Sequence, residues 1–352
     1  MLLVSFHGGS GGQNNVFAYD QGQLKTQTAL NPKNPGDLSE LRALVSANGY
    51  LYAANGKKSE SNVLCFKRQA GPEDYQFDYV DKFVVASFSK DGEFENSIAH
   101  PYSLAFGGGS YCYISNQDTN VVARANVSTD GARGSIGAGS QSAYLTQLCS
   151  PNCTYLDGTF AGSQQGDLPN VKVQATDVPS LDGGLGVSIK DGKVQNSVRD
   201  VAVWSGTLFV CDEPDSLIRL YSLSGGTYLG QAGPGLTTKP THLSVQNGGL
   251  YVSAGAALLW SALSTSPASL NFKQILSIPG GVQAQSIGGI TFDNAGNVYV
   301  AYQDGTGSVG SGAIYQYSVQ QTNPQTQPVF SNGAPYAAAL PDTPEFLLFL
   351  QT

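Results

Sequence analysis

A short apolar motif returns about every fifty residues along this chain of 352 residues. After each copy comes a polar or glycine-rich turn, and then a second apolar segment. The copies, which include Leu-Tyr-Ala-Ala-Asn and Tyr-Val-Ala-Tyr, lie at residues 2–5, 51–55, 113–116, 209–212, 251–254 and 299–302. Repetition of short strands at this period is typical of a β-propeller, an all-β fold in which each repeat forms one blade of a closed ring.

Each predicted blade has four antiparallel strands that run from the central channel outward. The recurring motif is predicted to be the second strand, and the apolar segment after it the third. A different pattern marks the innermost strands, which are predicted at residues 41–45, 101–106, 198–203, 240–245, 287–292 and 335–340. Because the chain begins with a second-strand motif and ends with an innermost-strand pattern, we expect 335–340 to complete the N-terminal blade and close the ring.

The repeats predict six blades and a single propeller domain over residues 1–352. The composition agrees, since 43 glycines, 18 tyrosines and only 12% charged residues suit many strands and tight turns. Residues 125–197 are too long for one blade, so they hold either a long insertion or a degenerate seventh blade. Residues 345–350 also resemble a strand beyond the six blades, which keeps a seven-bladed ring as the alternative.

The formal net charge of −8 argues against nucleic acid and anionic membranes as partners, because phosphate binding requires clustered Lys and Arg. No apolar stretch approaches the roughly 20 residues of a membrane-spanning helix. We therefore expect a monomeric protein whose partner is a small molecule.

The N-terminus lacks the basic segment of a signal peptide, which favours the cytoplasm. Asn126 and Asn152 each begin an N-glycosylation sequon, so a secreted protein is the alternative. Cys149 and Cys153 flank a short loop and are expected to form a local disulfide or to remain free thiols.

Propellers bind ligands at the mouth of the central channel, where loops enter the innermost strands or leave the second strands. All three histidines of the chain, His7, His100 and His242, fall at such positions. Histidine gives and takes protons readily near neutral pH, although each of the three could instead cap a loop. His242 occupies the same position in its strand as Asp200 does in the preceding blade, so we expect this carboxylate to orient His242 as a general acid/base.

Cationic and aromatic side chains are predicted at the same mouth. Arg199 and Arg42 are expected to hold a carboxylate or an oxyanion. The predicted catalytic residues are therefore His242, Asp200 and Arg199. The predicted substrate-binding residues are Arg42, Tyr102, His100, Tyr336, His7 and Gln303.

Oxygen-bearing side chains at the channel mouth suggest an alternative, which is a bound calcium ion. Asp212, Asn116 and Asp118 follow second strands, and converging oxygen atoms are what calcium requires. Asp and Asn are also common in turns because they bond to their own backbone. One blade contributes only Ala254 at this position, so the ring of ligands is incomplete. We predict no cofactor, with calcium as the alternative.

The blade motif, as in Phe-Val-Cys-Asp-Glu-Pro-Asp-Ser at residues 209–216, resembles the NHL-type and lactonase-type propellers. This superfamily includes gluconolactonase-like, strictosidine-synthase-like and carboxymuconate-lactonising enzymes, and the resemblance covers the ring apart from 125–197. Its metal-dependent members hold calcium with Glu, Asn and Asp, and Asp212 and Asn116 match two such positions. An early Glu ligand is missing from this chain. The lactone-forming and ring-closing relatives need no metal, and the chain departs less from them.

These observations predict a small-molecule enzyme that opens or closes a ring by proton transfer, as a lactonase, a cycloisomerase or a natural-product cyclase of secondary metabolism. The alternative is a non-catalytic module whose tyrosine-rich face binds a glycan or a protein. Because the predicted mouth residues differ from blade to blade, we expect one asymmetric pocket rather than a site repeated in every blade.

Overall fold

The computed structural model describes residues 1–8, 13–56, 61–71, 75–85, 98, 100–117, 121–135, 188–190, 193–195, 198–213, 215–223, 228–233, 236, 238–304, 312–321, 326–338 and 340–350. Within these ranges the chain forms β-strands and one short 3-10 turn, Pro267–Ser269. None of the described segments is a helix long and apolar enough to span a membrane.

Six sheets make up the blades, and the strands of each follow one another from the channel outward. Blade 1 contains β29 (Pro344–Phe349), β1 (Leu2–Phe6), β2 (Phe17–Asp20) and β3 (Gln23–Thr26). Blade 2 contains β5 (Leu41–Ala47), β6 (Tyr50–Asn55), β7 (Asn62–Arg68), β8 (Phe77–Val85) and β4 (Leu30–Asn31). Blade 3 contains β9 (Pro101–Gly107), β10 (Tyr111–Asn116), β11 (Val121–Val127) and β12 (Gly134–Ser135).

The second half of the ring follows the same order. Blade 4 contains β15 (Val198–Trp204), β16 (Thr207–Asp212), β17 (Leu217–Ser222) and β18 (Tyr228–Ala232). Blade 5 contains β19 (Pro240–Gln246), β20 (Gly249–Ala254), β21 (Ala257–Ala262) and β22 (Lys273–Ser277). Blade 6 contains β23 (Ser286–Phe292), β24 (Val298–Gln303), β25 (Gly312–Tyr317) and β28 (Ala334–Ala337). Two further hairpins pair β13 (Ser188–Lys190) with β14 (Lys193–Gln195), and β26 (Val319–Gln321) with β27 (Val329–Phe330).

The innermost strands contact one another in a closed cycle, β29–β5–β9–β15–β19–β23 and back to β29. The predicted six-bladed propeller is therefore confirmed. The direct contact between β9 and β15 leaves no room in the ring for a seventh blade between blades 3 and 4. Residues 136–187, with Cys149, Cys153 and Asn152, lie outside the described residues, so the single-domain assignment of 1–352 stays a prediction.

The ring closes by pairing of the N- and C-terminal strands, as predicted, but the closing strand is a different one. β1 pairs with β29, and residues 334–337 instead form β28, the outermost strand of blade 6. The first four residues of β29 are buried, whereas the first two of β28 are exposed. An innermost strand is covered by neighbouring blades, which the apolar Phe-Leu-Leu-Phe segment suits better than Tyr-Ala-Ala-Ala does.

Large side chains fill the space between neighbouring blades. Tyr52 of blade 2, for example, packs its ring against Phe83 at a centroid distance of 5.0 Å and against Phe106 of blade 3 at 4.6 Å. All three side chains belong to, or pack against, one buried cluster. Burial of such aromatic area between sheets is what fixes the blades relative to one another.

Every innermost strand carries a β-bulge near its start. In each blade, the inner strand has one more residue than the second strand between two consecutive paired positions. A bulge bends its strand and turns a side chain in a new direction. The first residue of each bulge, which we call the bulge position, is Glu345, Arg42, Tyr102, Arg199, Thr241 and Gly288 in blades 1 to 6. One structural position, repeated around the ring, thus supplies side chains to the channel mouth.

Bulges also leave backbone groups without partners in the sheet, and serines of the second strand satisfy several of them. Ser5 Oγ accepts the amide of Phe346 at 3.2 Å and donates to the carbonyl of Arg42 at 2.8 Å, so it joins blades 1 and 2. Ser253 donates to the carbonyl of Gly288 at 2.7 Å and joins blades 5 and 6. Ser5 and Ser253 are each the last residue but one of their strands.

Replacing Ser5 by Ala should lower the free energy of unfolding by about 1–3 kcal/mol, because two buried backbone groups lose this partner. Urea denaturation followed by circular dichroism measures the change. Ser46→Ala is the control, since Ser46 is an exposed serine on β5 whose hydroxyl has no hydrogen bond to the described residues, and it should change stability by less than about 0.5 kcal/mol. Equal effects of the two substitutions would contradict a joining role for Ser5.

Candidate functional site

A cavity of about 700 Å³ opens at the mouth of the central channel. This volume is in the range that holds small-molecule ligands. The cavity is lined by His7, Tyr102, Arg199, Thr238, Lys239, Thr241, His242, Gly255, Ser286, Ile287, Gln303, Thr343 and Glu345. Four of the six bulge-position residues are among them. Since these residues differ in size and charge, the pocket is asymmetric.

Glu345 lies where the polar groups of the mouth converge. Its carboxylate accepts a hydrogen bond from the Tyr102 hydroxyl at 3.0 Å and one from Gln303 Nε2 at 3.4 Å. Arg42 Nη1 is 4.0 Å from Oε2, and the side chain of Glu345 is only 8% exposed. Burial alone would raise the pKa of Glu345, but the hydrogen bond with His7 and the charge of Arg42 hold it well below its usual range. The carboxylate is therefore ionised at neutral pH.

His7 Nδ1 lies between Arg42 and Glu345. It is 2.8 Å from Arg42 Nη1 and 3.2 Å from Glu345 Oε2. One nitrogen cannot accept from the guanidinium and donate to the carboxylate at the same time, so the tautomer of His7 decides which hydrogen bond forms. With 55% of its side chain exposed, His7 forms the solvent-facing edge of the site.

His242 is buried beside this cluster. Its Nε2 is 3.3 Å from the Tyr102 hydroxyl, its Nδ1 is 3.1 Å from Thr241 Oγ1, and its ring packs on Phe346 at 4.6 Å. The single hydroxyl proton of Tyr102 is donated to Glu345, so a hydrogen bond between His242 and Tyr102 requires the proton of the neutral imidazole to be on Nε2. Burial lowers the pKa of His242 to about 4, which keeps the imidazole neutral at physiological pH.

Asp200 does not bond to His242 as the sequence predicted. One of its carboxylate oxygens accepts the Ser103 hydroxyl and, at 2.7 Å, the Val201 amide, while the other accepts the Leu243 amide at 2.8 Å. The bulge in β19 turns the amide of Leu243, rather than the imidazole of His242, toward this carboxylate. Asp200 thereby connects the innermost strands of blades 3, 4 and 5. Burial raises its pKa to about 6, although the three hydrogen bonds oppose this rise.

The two arginines predicted at the mouth have different positions. Arg199 lines the cavity, where its guanidinium lies 5.1 Å from the ring centre of Tyr102 and its Nε donates to Glu213 at 2.5 Å. Arg42 is only 3% exposed and lies beneath Glu345 and His7, so it acts on the cavity through them. Its Nη2 is also 3.6 Å from Glu40 Oε2.

His100 lies deeper than the sequence predicted and does not reach the described cavity wall. Its Nε2 is 3.2 Å from Glu40 Oε2 and 3.4 Å from Arg42 Nη2. His100 and Glu40 each immediately precede an innermost strand, and both have left-handed backbone angles, with φ of 50° and 49°. Non-glycine residues hold this conformation only where the surroundings enforce it, so the contact between the two side chains is part of a tightly constrained support for Arg42.

Tyr336 is not at the mouth either. It lies on β28, the outermost strand of blade 6, where its ring meets Tyr299 edge-on at 5.0 Å. The error follows from taking 335–340 as an innermost strand. Gln303, by contrast, lines the cavity as predicted and donates to the carbonyl of Pro344 at 2.8 Å.

Two residues of the predicted calcium site are described, and both have partners within the protein. Asp212 is fully buried and pairs with Arg219 Nε at 2.5 Å, and the Asn116 amide donates to the carbonyl of Ile114 at 2.8 Å. Nowhere in the described part of the chain do three His, Cys, Asp or Glu side chains cluster as metal ligands do. Asp118 lies outside the described residues, so its part in a calcium site stays a prediction.

Sequence reasoning missed Glu345, Thr241, Lys239 and Glu213. A signal for the first two was present. Proline begins the inner strands at Pro101, Pro240 and Pro344, and the next residue occupies the bulge position in all three. Aligning these prolines would have placed Glu345 and Thr241 with Tyr102.

Comparison with known proteins supports the fold. No family model matches the chain, and no curated protein matches it. The crystal structure of a protein from Lactobacillus plantarum superimposes with a TM-score of 0.54 at 12% identity, covering 99% of both chains. A putative 6-phosphogluconolactonase from Bacteroides uniformis superimposes with a TM-score of 0.51 at 13% identity, covering 95% of this chain and 82% of the other. At such identities the likeness shows that the propeller fold is shared.

Asp200→Asn should cost more stability at pH 4 than at pH 7. Because the pKa of Asp200 is raised to about 6 in the folded state, the native protein binds more protons than the unfolded chain between about pH 4 and 6. The wild type therefore loses a contribution of about 2–3 kcal/mol as pH rises through this window, and the Asn variant does not. Urea denaturation at both pH values measures the difference.

Ser46→Ala on β5, which removes no titratable group, is the control for this experiment and should have the same small effect at both pH values. A deficit for Asp200→Asn that grows with pH would contradict the account. It would mean that the three hydrogen bonds outweigh burial and keep Asp200 ionised.

Proposed function

We propose that the cavity at the channel mouth is the active site of a small-molecule enzyme that opens or closes a ring by proton transfer. Hydrolysis of a lactone is the reaction that the site supports best, and isomerisation or cyclisation by the same groups forms the wider class. The observation that carries the proposal is the connected row of Thr241, His242, Tyr102 and Glu345, which places a neutral imidazole on the cavity wall.

In lactone hydrolysis, a water molecule must lose a proton as its oxygen attacks the ring carbonyl. The lone pair on His242 Nδ1 accepts this proton through the Thr241 hydroxyl, which lies 3.1 Å from it, while Nε2–H stays bonded to Tyr102 and holds the ring in place. Glu345, which reaches His242 through Tyr102, favours the imidazolium that forms. When the acyl–oxygen bond breaks, Nδ1–H returns the proton to the leaving oxygen, which gives the hydroxy acid.

Arg199 supplies the positive charge that stabilises negative charge on the bound substrate. It lines the same cavity and is held against Tyr102, so its charge is fixed in place before the reaction begins. A putative 6-phosphogluconolactonase that shares the fold agrees with this choice of reaction.

The proposal includes a reaction without a metal in a monomeric, cytoplasmic protein. The alternative function is binding of a glycan or a protein without catalysis. Propellers of that kind repeat a similar site in each blade, whereas the bulge positions of this chain carry Glu, Arg, Tyr, Arg, Thr and Gly. This variety favours one central pocket with several chemical roles.

His242→Gln should lower kcat for lactone hydrolysis by about 100- to 10,000-fold, because the amide keeps a donor for Tyr102 but offers no basic nitrogen. A panel of γ- and δ-lactones, assayed by proton release, identifies the substrate and then measures the loss. Gln246→Ala, at the far end of the same strand, is the matched control and should keep full activity. Unchanged thermal unfolding of both variants confirms that they fold.

Activity of the wild type should persist down to about pH 5 and then fall as His242 is protonated, since its pKa is lowered to about 4. Full activity of the Gln variant, or an absence of hydrolysis across the whole panel, would contradict the proposal.

A further inference from the structure

We propose that Arg199 and Lys239 form a subsite for an anionic group of the substrate, a carboxylate or a phosphate, and that Glu213 tunes its affinity by competing with that group. The substrate class rests on the proposed function, but the binding of the anion does not.

The guanidinium of Arg199 is held on two sides. The Nε of Arg199 donates a hydrogen bond to Glu213 at 2.5 Å. The face of the guanidinium lies over Tyr102, with its central carbon 5.1 Å from the ring centre. The terminal nitrogens Nη1 and Nη2 make no hydrogen bond to any of the described residues. The side chain is 19% exposed and lines the cavity. A planar edge of this kind, oriented in advance, matches the two oxygens of a carboxylate or phosphate.

Lys239 supplies a second cation to the same wall. Its Nζ is 3.4 Å from Glu213 Oε1, while Arg199 pairs with Oε2. Two cations thus share one carboxylate, which leaves one positive charge uncompensated among the three. The nearby Glu345 carboxylate is already bonded to Tyr102 and Gln303, and it makes no direct ion pair with Arg199 or Lys239 within the described residues.

A guanidinium that is four-fifths covered loses much of its hydration, so a further anion on its open edge is favourable. The hydroxyl groups of Thr238 and Ser286 line the cavity and offer additional donors. An anion on Arg199 therefore brings the rest of its molecule to Tyr102 and His242.

Glu213 limits the strength of this subsite. It orients Arg199, but its negative charge also lowers the attraction of both cations for an incoming anion. Replacing it by Gln keeps an acceptor for Arg199 Nε and removes the charge. The affinity for an anion should then increase, while the affinity for a neutral molecule of the same shape should not.

The test compares two lactones that differ in one group, D-glucaro-1,4-lactone, which carries a carboxylate, and D-glucono-1,4-lactone, which carries a hydroxymethyl group there. Isothermal titration calorimetry of the full-length protein should show at least about tenfold tighter binding of the charged lactone. Arg199→Met and Lys239→Met should each reduce this preference, and Glu213→Gln should increase it about three- to tenfold. Lys273→Met, which removes an exposed cation on β22, is the control and should leave it unchanged.

Equal affinity for the two lactones, no binding of the charged lactone at millimolar concentration, or the same effect from Lys273→Met as from Arg199→Met would overturn the subsite. Lys239 is 59% exposed, so its variant tests the proposal even where Arg199→Met does not fold. Hydrolysis of both lactones at equal rates, with no preference in binding, would contradict the subsite and support the proposed reaction. A preference for the charged lactone that depends on Arg199, without hydrolysis of any lactone, would support the subsite and contradict the proposed reaction.

Discussion

The antiparallel pairing of β1 with β29 determines both the closure of the ring and the composition of its mouth. β29 supplies the innermost strand of blade 1 and carries Glu345 at its bulge position. The carboxylate of Glu345 then meets groups from several parts of the ring, including Tyr102 of blade 3 and Gln303 of blade 6. Because the first and last strands must pair before these contacts exist, the site is complete only when the propeller is closed.

Close packing against blade 6 makes this closure possible. A Cβ atom on Gly289 would lie 2.7 Å from Phe346 Cα, and one on Gly312 would lie 2.3 Å from Pro344 Cδ. Only glycine permits so close an approach of β29. A Cβ atom on Gly288, the bulge position of blade 6, would itself lie 3.1 Å from the carbonyl oxygen of Pro344. Blade 6 therefore contributes no side chain there, and the asymmetry of the pocket follows in part from the space that the closing strand requires.

Most of the fold could be predicted from the sequence, because the repeated motif has a local period and each copy marks one second strand. The identity of the closing strand could not, since 335–340 and 344–349 both offer a short apolar pattern and only burial in the closed ring separates them. In the site, His242, Tyr102, Arg199, His7 and Gln303 do line one cavity.

The wrong pairing of Asp200 with His242 arose where a bulge changes the direction of a side chain. Asp200 and His242 follow equivalent bulge positions in neighbouring blades, so a contact between them was a reasonable expectation. The bulge in β19 shifts its pairing with β20 by one residue. The Asp200 carboxylate therefore accepts a hydrogen bond from the Leu243 amide, and the imidazole of His242 contacts Tyr102 instead. Such shifts are set by contacts between distant parts of the chain, and periodicity alone does not reveal them.

In the proposed site, Tyr102 and Glu345 hold His242 as a buried, neutral imidazole with its proton on Nε2. With only three histidines in the chain, NMR titration of ¹⁵N-labelled imidazoles, assigned by single His→Gln variants, measures this directly. We expect the Nε2–H tautomer and a pKa of about 4 for His242, and a still lower pKa in Glu345→Gln, where the charge that favours the imidazolium is removed. A pKa near the ordinary value of about 6.5, or a proton on Nδ1, would contradict this expectation.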